Sequence, residues 1–419
     1  MIARHNRAIE LRLADRSADA LSEIEALLRT GFDAPETALL QAHLLGDLGL
    51  YDEGVAAYRT LLARWPDLID GHETLCALLP QIGRREEALQ SYRYALAQRP
   101  DIGALWVSAL GAAKNLRDAS QLIDWCDQVE RRFGSDSMVT TFRAQALSWQ
   151  GEDGTASALL QQAIPLDPQY QPMHTTLAHV ALRQGDAELA KRAALQAAQL
   201  APDEQTAWAL LSVALRLLDD PLETWLADYD HLVRVIDLDG LDLAATTQVL
   251  TALHSTGQHP AEQSLRGGTQ TRGNLFEKHH PEIVALQDAI SVGIAETLPQ
   301  FRNDPQHPFL RRNTGKAQFA GSWSVRLRSQ GFHVSHIHHS GWISSACYIS
   351  LPSEMKHGDV GALTFGFPDA ELGLDLPPRR IVRPQAGQLV LFPSYMWHGT
   401  IPFESREPRL TIAFDALPA

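Results

Sequence analysis

The chain has 419 residues, 45% hydrophobic and 21% charged, which excludes wholesale disorder. No apolar run approaches the roughly 18 residues of a membrane span. The opening MIARHNRAIELRLADRS is not expected to be a secretory leader, and three scattered cysteines, Cys76, Cys126 and Cys347, suit a reducing cytoplasm rather than a disulfide framework or zinc ribbon. The net charge of −14 lies in residues 1–240, with 21 basic against 35 acidic residues, so nucleic acid is excluded as the main partner there. Residues 241–419 carry 15 of each sign and 11 of the 17 histidines.

The front half is periodic. Pro66, Pro100, Pro168 and Pro202 fall on a 34-residue ruler, with Gly134 at the missing mark. Gly49, Gly83, Gly151 and Gly185 form a second set, which only Arg117 interrupts. Ala88, Leu89, Tyr92, Ala95 and Leu96 make one apolar stripe at helical spacing. Each unit reads as two helices: glycine permits the turn between them and proline closes the second. This pattern resembles the tetratricopeptide repeat. Residues 4–30 are expected to form a leading pair and 204–236 a trailing pair. Tyr58, Tyr92 and the alanines are packing residues. The resemblance implies an acidic concave surface for a peptide or protein partner, and leaves a homodimer platform open.

A boundary is expected near DLDG at 237–240, giving a solenoid over 1–238 and a second domain over 239–419. A helix is predicted over 242–255, then a polar loop over 259–276. Arg266, Gln270 and Arg272 in that loop are either ordinary connecting residues or donors facing a site. Ile283, Leu286, Ile290 and Ile294 share one face of a helix over 281–298.

From Gln318 the period becomes two. Trp323, Val325 and Leu327 alternate with Ser324, Arg326 and Arg328. Further strands are predicted over 343–350, 361–366, 379–383, 388–392 and 409–414, with Pro and Gly turns between them, a pattern of sandwiches and jelly rolls. His336 and His338 are two apart on an extended segment and point the same way. Both can reach one metal ion, and His398, after an apolar strand, is the candidate third ligand. Such an imidazole cluster leaves open coordination positions, which oxygen chemistry needs.

HIHHSGWISSACY at 336–348, PQAGQLVLFPSYMWHGTIPF at 384–403 and Arg409-Leu410-Thr411 resemble the 2-oxoglutarate/Fe(II) dioxygenases. More narrowly, they are similar to the oxygenases fused behind tetratricopeptide repeats in bacteria, as is QSLRGGTQT at 263–271. The resemblance spans about residues 250–416 and implies a double-stranded β-helix, a jelly roll, holding Fe(II) and using 2-oxoglutarate and O2. His336 and His398 match ligand positions. Arg409 matches the residue that pairs the distal carboxylate of 2-oxoglutarate, a role suited to a guanidinium fork. Thr411 adds a hydroxyl on the same strand face. Tyr348, projecting with Ser344, and Arg326 are carried as cosubstrate-pocket residues, Arg326 having a strand-surface charge as its alternative.

Most of that superfamily has Asp or Glu where His338 stands. The third ligand is then His338 or another carboxylate, such as Glu354 or Asp359. His333 and His339 are expected at the surface or behind the ligands. His279, His280 and His357 are expected in solvent, and Trp342 and Trp397 in packing. The resemblance implies a hydroxylase acting on a peptide or protein positioned by the repeats. Two alternatives stand beside it. A cupin-type three-histidine dioxygenase expects Glu soon after H-x-H, where Trp342 and Ile343 occur. A non-catalytic repeat scaffold would carry a relic barrel.

Overall fold

The computed structural model describes all residues except 15, 255–263, 272 and 357, so Arg272 and His357 lie outside the described residues. The chain forms two compact units, Met1–Ser135 and Asp136–Ala419.

The first unit is helical pairs: Ile2–Leu13 with Ser17–Leu28, Pro35–Asp47 with Tyr51–Arg64, Ile69–Gln81 with Gln90–Gln98, and Gly103–Asn115 with Ala119–Phe133. The stripe Ala88, Leu89, Tyr92, Ala95 and Leu96 is buried throughout. The second unit opens with helices on the same 34-residue spacing, and the turns explain why. Gly83, Gly151 and Gly185 have φ of 77°, 84° and 77°, and nothing lies within 4 Å of an added Cβ. They are needed for conformation, not for space. Arg117, which breaks the glycine pattern, takes φ 51°, and Asp219, at the next mark, takes φ 50°. The turn therefore persists where the residue does not favour it, because packing on both sides demands it.

The prolines have a second periodic role. A side chain six residues on donates to each proline carbonyl: His72 to Pro66, Trp106 to Pro100, His174 to Pro168 and Trp208 to Pro202, at 2.9–3.0 Å. A carbonyl orphaned at the helix end is thus satisfied by the next helix.

In the second unit, Ser137–Trp149, Asp153–Ala163, Gln171–Arg183, Ala187–Leu200 and Gln205–Leu217 continue the repeats. The trailing pair expected over 204–236 does not complete. After Gln205–Leu217 come only short helices, Leu222–Leu226 and Tyr229–Leu232, and then strand β1, Arg234–Asp237. The remaining strands are β2 Leu265–Gln270, β3 Ala317–His333, β4 Ile343–Ser350, β5 Leu363–Phe365, β6 Arg380–Val382, β7 Gln388–Pro393, β8 His398–Thr400 and β9 Arg409–Pro418.

One antiparallel sheet runs β1-β7-β4-β9-β3-β2 and a smaller one β6-β5-β8. The pairing is nested: β3 with β9, His336 with His398 of β8, β4 with β7, and β5 with β6. First-with-last nesting across two sheets is the jelly-roll arrangement. The inner face of the large sheet follows from register. Val325, Thr411 and Tyr348 stand opposite one another, as do Leu327 and Arg409, and Ser344 and Asp415. The helix Pro281–Thr297 covers the outer face, with Gly293 against Leu389 and Ile236. Ile283, Leu286, Ile290 and Ile294 are among its buried residues.

One expectation changes here. The polar stretch read as a loop contains β2, paired with β3 through a register shift between Arg266 and Gly268. A Cβ on Gly268 would lie 2.6 Å from the Arg326 carbonyl, so the glycine that suggests a loop is what lets the strand approach. The division into compact units at 135/136 falls within the repeats, while the change from helices to strands comes at Leu232 and Arg234. One hydrophobic core runs from Ala144 and Leu177 through Leu211 to Trp397 and Phe414. Polar ties reinforce it: Arg216 donates to the carbonyls of Gly366 and Pro377, Trp397 Nε1 to Ala209 O and Tyr395 to Leu226 O. No described helix is long and apolar enough to cross a membrane.

Candidate metal centre

His336 and His398 exchange both backbone hydrogen bonds, at 2.9 and 3.0 Å. In an antiparallel pair this puts both side chains on one side, and the ring centroids are 4.2 Å apart. His338 follows two residues on and is pinned by its N–H to Ser394 O at 3.0 Å. One ring nitrogen from each of the three lies within 4.8 Å of the other two, a grouping able to hold a metal ion.

The orientation of each ring is set from behind. Nδ1 of His336 donates to Val334 O and Nδ1 of His398 to Met396 O, both at 2.9 Å. Nδ1 of His338 donates to Asp415, at 2.6 and 2.8 Å from its two oxygens. With Nδ1–H engaged, Nε2 carries the lone pair on all three. Burial, aided by the neighbouring His338, pulls the His336 pKa down to about 3. Burial, then His336 and His338, hold His398 well below the usual imidazole range. Neutral imidazoles are what a metal needs.

Arg409 and Thr411 point inward from β9, and Tyr348 from β4. Arg409 is buried; its Nη1 donates to Gly361 O at 2.9 Å. Its Cζ lies 5.1 Å from the centre of the Tyr348 ring. Arg409 Nε and the Tyr348 hydroxyl are both buried without hydrogen-bond partners. An unpaired buried polar group costs about 1–3 kcal/mol, more if charged. Two side by side, beside three convergent imidazoles, fit an anionic ligand such as a carboxylate.

The other expected residues divide. Ser344 faces inward, but its hydroxyl donates to Asp415 at 2.7 Å and lies 2.9 Å from Ser394 Oγ, so it supports Asp415 rather than the cosubstrate pocket. Arg326 is corrected: it stands opposite Leu410 on the outer face of β3, while Trp323 and Val325 face in. It lies near the buried His254, whose ring nitrogens bond Thr269 and Ser324. Arg266 is exposed, its Nη1 on the carbonyl of its neighbour Leu265. Glu354 bonds Ser405 and Asp359 pairs with Arg383, both at the surface, so neither carboxylate joins the cluster.

His333 lies against the cluster: its ring stacks on His336 at 5.8 Å and Nδ1 meets Ser264 Oγ at 2.9 Å. Ser264 Oγ is also 3.2 Å from His336 Nε2. His339 is exposed and meets Thr206 on the last long repeat helix. Trp342 and Trp397 are packing residues, with indole N–H groups on Phe309 O and Ala209 O. Asp415 went unread in the sequence, although period two places Arg409, Thr411, Ala413 and Asp415 on one face of one strand.

Residues 321–415 match a family model described as "Putative 2OG-Fe(II) oxygenase". The match begins later than the span expected from residue 250; it encloses the three histidines and Arg409 and ends on Asp415, leaving β2 outside. No curated protein matches the chain. Solved structures resembling it include tetratricopeptide-repeat proteins. A tetratricopeptide-repeat protein from Parabacteroides merdae is 15% identical, over 51% of this chain and 83% of its own, at a TM-score of 0.33. The C-terminal part of one from Cytophaga hutchinsonii is 18% identical, over 54% and 87%, at 0.35. One from Thermus thermophilus is 21% identical, over 51% and 98%, at 0.25. The repeats are established here by the 34-residue spacing of their turns and proline contacts, not by these likenesses.

Proposed function

We propose that the protein is an Fe(II)- and 2-oxoglutarate-dependent hydroxylase, with His336, His338 and His398 as metal ligands and Arg409 as the anchor for the cosubstrate. One observation carries the reading: three imidazoles aimed at one point, next to a buried guanidinium Nε and a buried phenol hydroxyl that lack partners. Iron(II), 2-oxoglutarate and O2 together supply an oxidant that places one oxygen atom in a substrate C–H bond and the other in succinate, with release of CO2.

The chain's own residues bind, orient and exclude. Arg409 offers Nε and a second Nη to the distal carboxylate, a charge-assisted pair worth about 1.5–3 kcal/mol. Tyr348 donates its hydroxyl to the same carboxylate, and Thr411 adds another hydroxyl from the same face. Burial raises the Tyr348 pKa, with Arg409 opposing, so the phenol keeps the proton it donates. Phe365, Phe392, Val325 and Leu327 line the interior and keep water out. The repeats are assigned the task of positioning a peptide or protein substrate, or of pairing two copies of the chain. The three cysteines are free and buried, which supports a reducing cytoplasm as the compartment.

Anaerobic loading with Fe(II), then O2 and 2-oxoglutarate, tests the reading. Succinate release dependent on both, and a gain of about 16 Da in a substrate, is the expected result. Metal binding without 2-oxoglutarate turnover would favour a cupin-like activity. No metal binding at all would leave a scaffold.

A further inference from the structure

We infer that Asp415 is the carboxylate of this site, acting on the metal through His338 as a positioning residue instead of ligating it. The inference rests on the metal-binding reading above and concerns the charge that a three-imidazole ligand set lacks.

The three histidines are not equivalent. His336 and His398 are held from behind by backbone carbonyls, Val334 O and Met396 O. His338 alone is held by a charged group, with both Asp415 oxygens within 2.8 Å of Nδ1. Asp415 therefore meets the far edge of the ring from Nε2 and is not among the residues grouped for ligation. A carboxylate accepting the Nδ1 proton makes the opposite nitrogen a better donor to a metal and fixes its tautomer.

Asp415 is itself fixed. Ser344 donates to it from the opposing strand at 2.7 Å, and Ser394 Oγ is 2.9 Å from Ser344 Oγ. The backbone that closes over this network must come near: a Cβ on Gly341 would stand 2.3 Å from Ser394 Oγ and 3.4 Å from Asp415 Oδ1. Trp323 stacks on the other face of the arrangement, 5.9 Å from the His338 ring and 20° from parallel. The pair is mostly enclosed, with side-chain exposures of 14% for His338 and 20% for Asp415.

Charge counting points the same way. A divalent ion, the Arg409 guanidinium and a dianionic cosubstrate leave one positive charge over. Asp415 cancels it, and among the described residues no carboxylate pairs with Arg409 or joins the cluster. The usual ligand carboxylate has in effect moved one bond outward: the position two residues after His336 holds an imidazole, and the negative charge stands behind that imidazole.

The test is anaerobic Fe(II) and Co(II) binding to the full chain, with the visible spectrum of bound Co(II), for wild type, Asp415→Ala, Asp415→Asn and Glu354→Gln. Asp415→Ala should weaken metal binding 10–100-fold, as loss of such partners does, and alter the Co(II) spectrum. Asn keeps an oxygen for Nδ1 without the charge. Asp415→Asn should therefore retain the wild-type spectral shape and melting temperature while losing severalfold in affinity. Glu354→Gln, a surface acid, should change nothing. Wild-type affinity in both Asp415 variants would overturn the inference while leaving the metal site intact. Failure of wild type itself to bind either ion would overturn the metal-binding reading, and this inference with it. Should Asp415→Ala not fold, the near-isosteric Asp415→Asn decides the matter alone.

Discussion

The repeats and the barrel bury polar groups in opposite ways. In the repeats, His72, Trp106, His174 and Trp208 are each paired with a proline carbonyl, and Tyr92 with Ser108. Those contacts join residues close in sequence, and the orphaned atoms there, His72 Nδ1 and Ser91 Oγ, are uncharged acceptors or rotors. In the second unit the unpaired atoms include guanidinium nitrogens, Arg312 Nη1, Arg326 Nε and Arg409 Nε, and of these Arg409 Nε stands with the unpaired Tyr348 hydroxyl on the inner face that carries three imidazoles, two of them held neutral by burial. Partners there come from far along the chain: His338 and Asp415 are 77 residues apart. A scaffold satisfies its buried groups internally, whereas a binding site keeps some in reserve for a ligand.

The sharpest way to break this contrast is to remove a ligand. His336→Ala, His338→Ala or His398→Ala should each take succinate formation to background, with metal content measured on the same preparations. Full iron occupancy in His338→Ala would sink the three-histidine site. Cutting the chain comes next. A fragment of residues 136–419 should melt cooperatively. One of residues 239–419 should not, because it loses β1 and the partners of Tyr395 and Trp397, and each buried group left unpaired costs about 1–3 kcal/mol. Circular dichroism melts of both fragments separate the two boundaries.

Arg409→Ala should raise the 2-oxoglutarate requirement at least about tenfold and spare iron binding, in line with a pair of about 1.5–3 kcal/mol. Arg326→Ala, on the outer face, should leave that requirement unchanged; a shift in it would return Arg326 to the pocket.

Acid probes the barrel's structural histidines. Burial pulls the pKa of His254 and His307 down to about 4, from 6.5 when unfolded. Their contribution is present above about pH 6.5 and is lost as pH falls through about 4, since the unfolded chain then binds protons that the folded chain refuses. The melting temperature should drop by on the order of a few degrees between pH 7 and 4, less so in His307→Gln. The smallest effect belongs to the repeats: Tyr92→Phe loses one hydrogen bond to Ser108, about 0.5–1.5 kcal/mol of stability, and should leave turnover untouched.

Periodicity made most of this molecule legible before its structure. A ruler of 34 residues marks turns even where Arg117 and Asp219 replace glycine, because a repeated interface imposes the same backbone on whatever residue occupies the mark. Strand alternation located β3, β4, β7 and β9, and H-x-H with a distant His398 named the three histidines that the fold groups together. What misled was glycine in β2, since Gly268 signals a loop by composition but serves a close strand approach. Likewise Arg326 and Arg409 look alike as strand residues, and only register against β9 and β4 separates outer face from inner.

The sequence by itself determined the order of elements and the residue types that chemistry requires, because helix and strand periods and ligand spacing are local properties. Tertiary structure alone decided which carboxylate stands behind His338, which arginine lies inside, and that the last repeats share a core with the barrel. Those depend on nested strand pairing and on burial between distant segments, and no spacing along one chain encodes them.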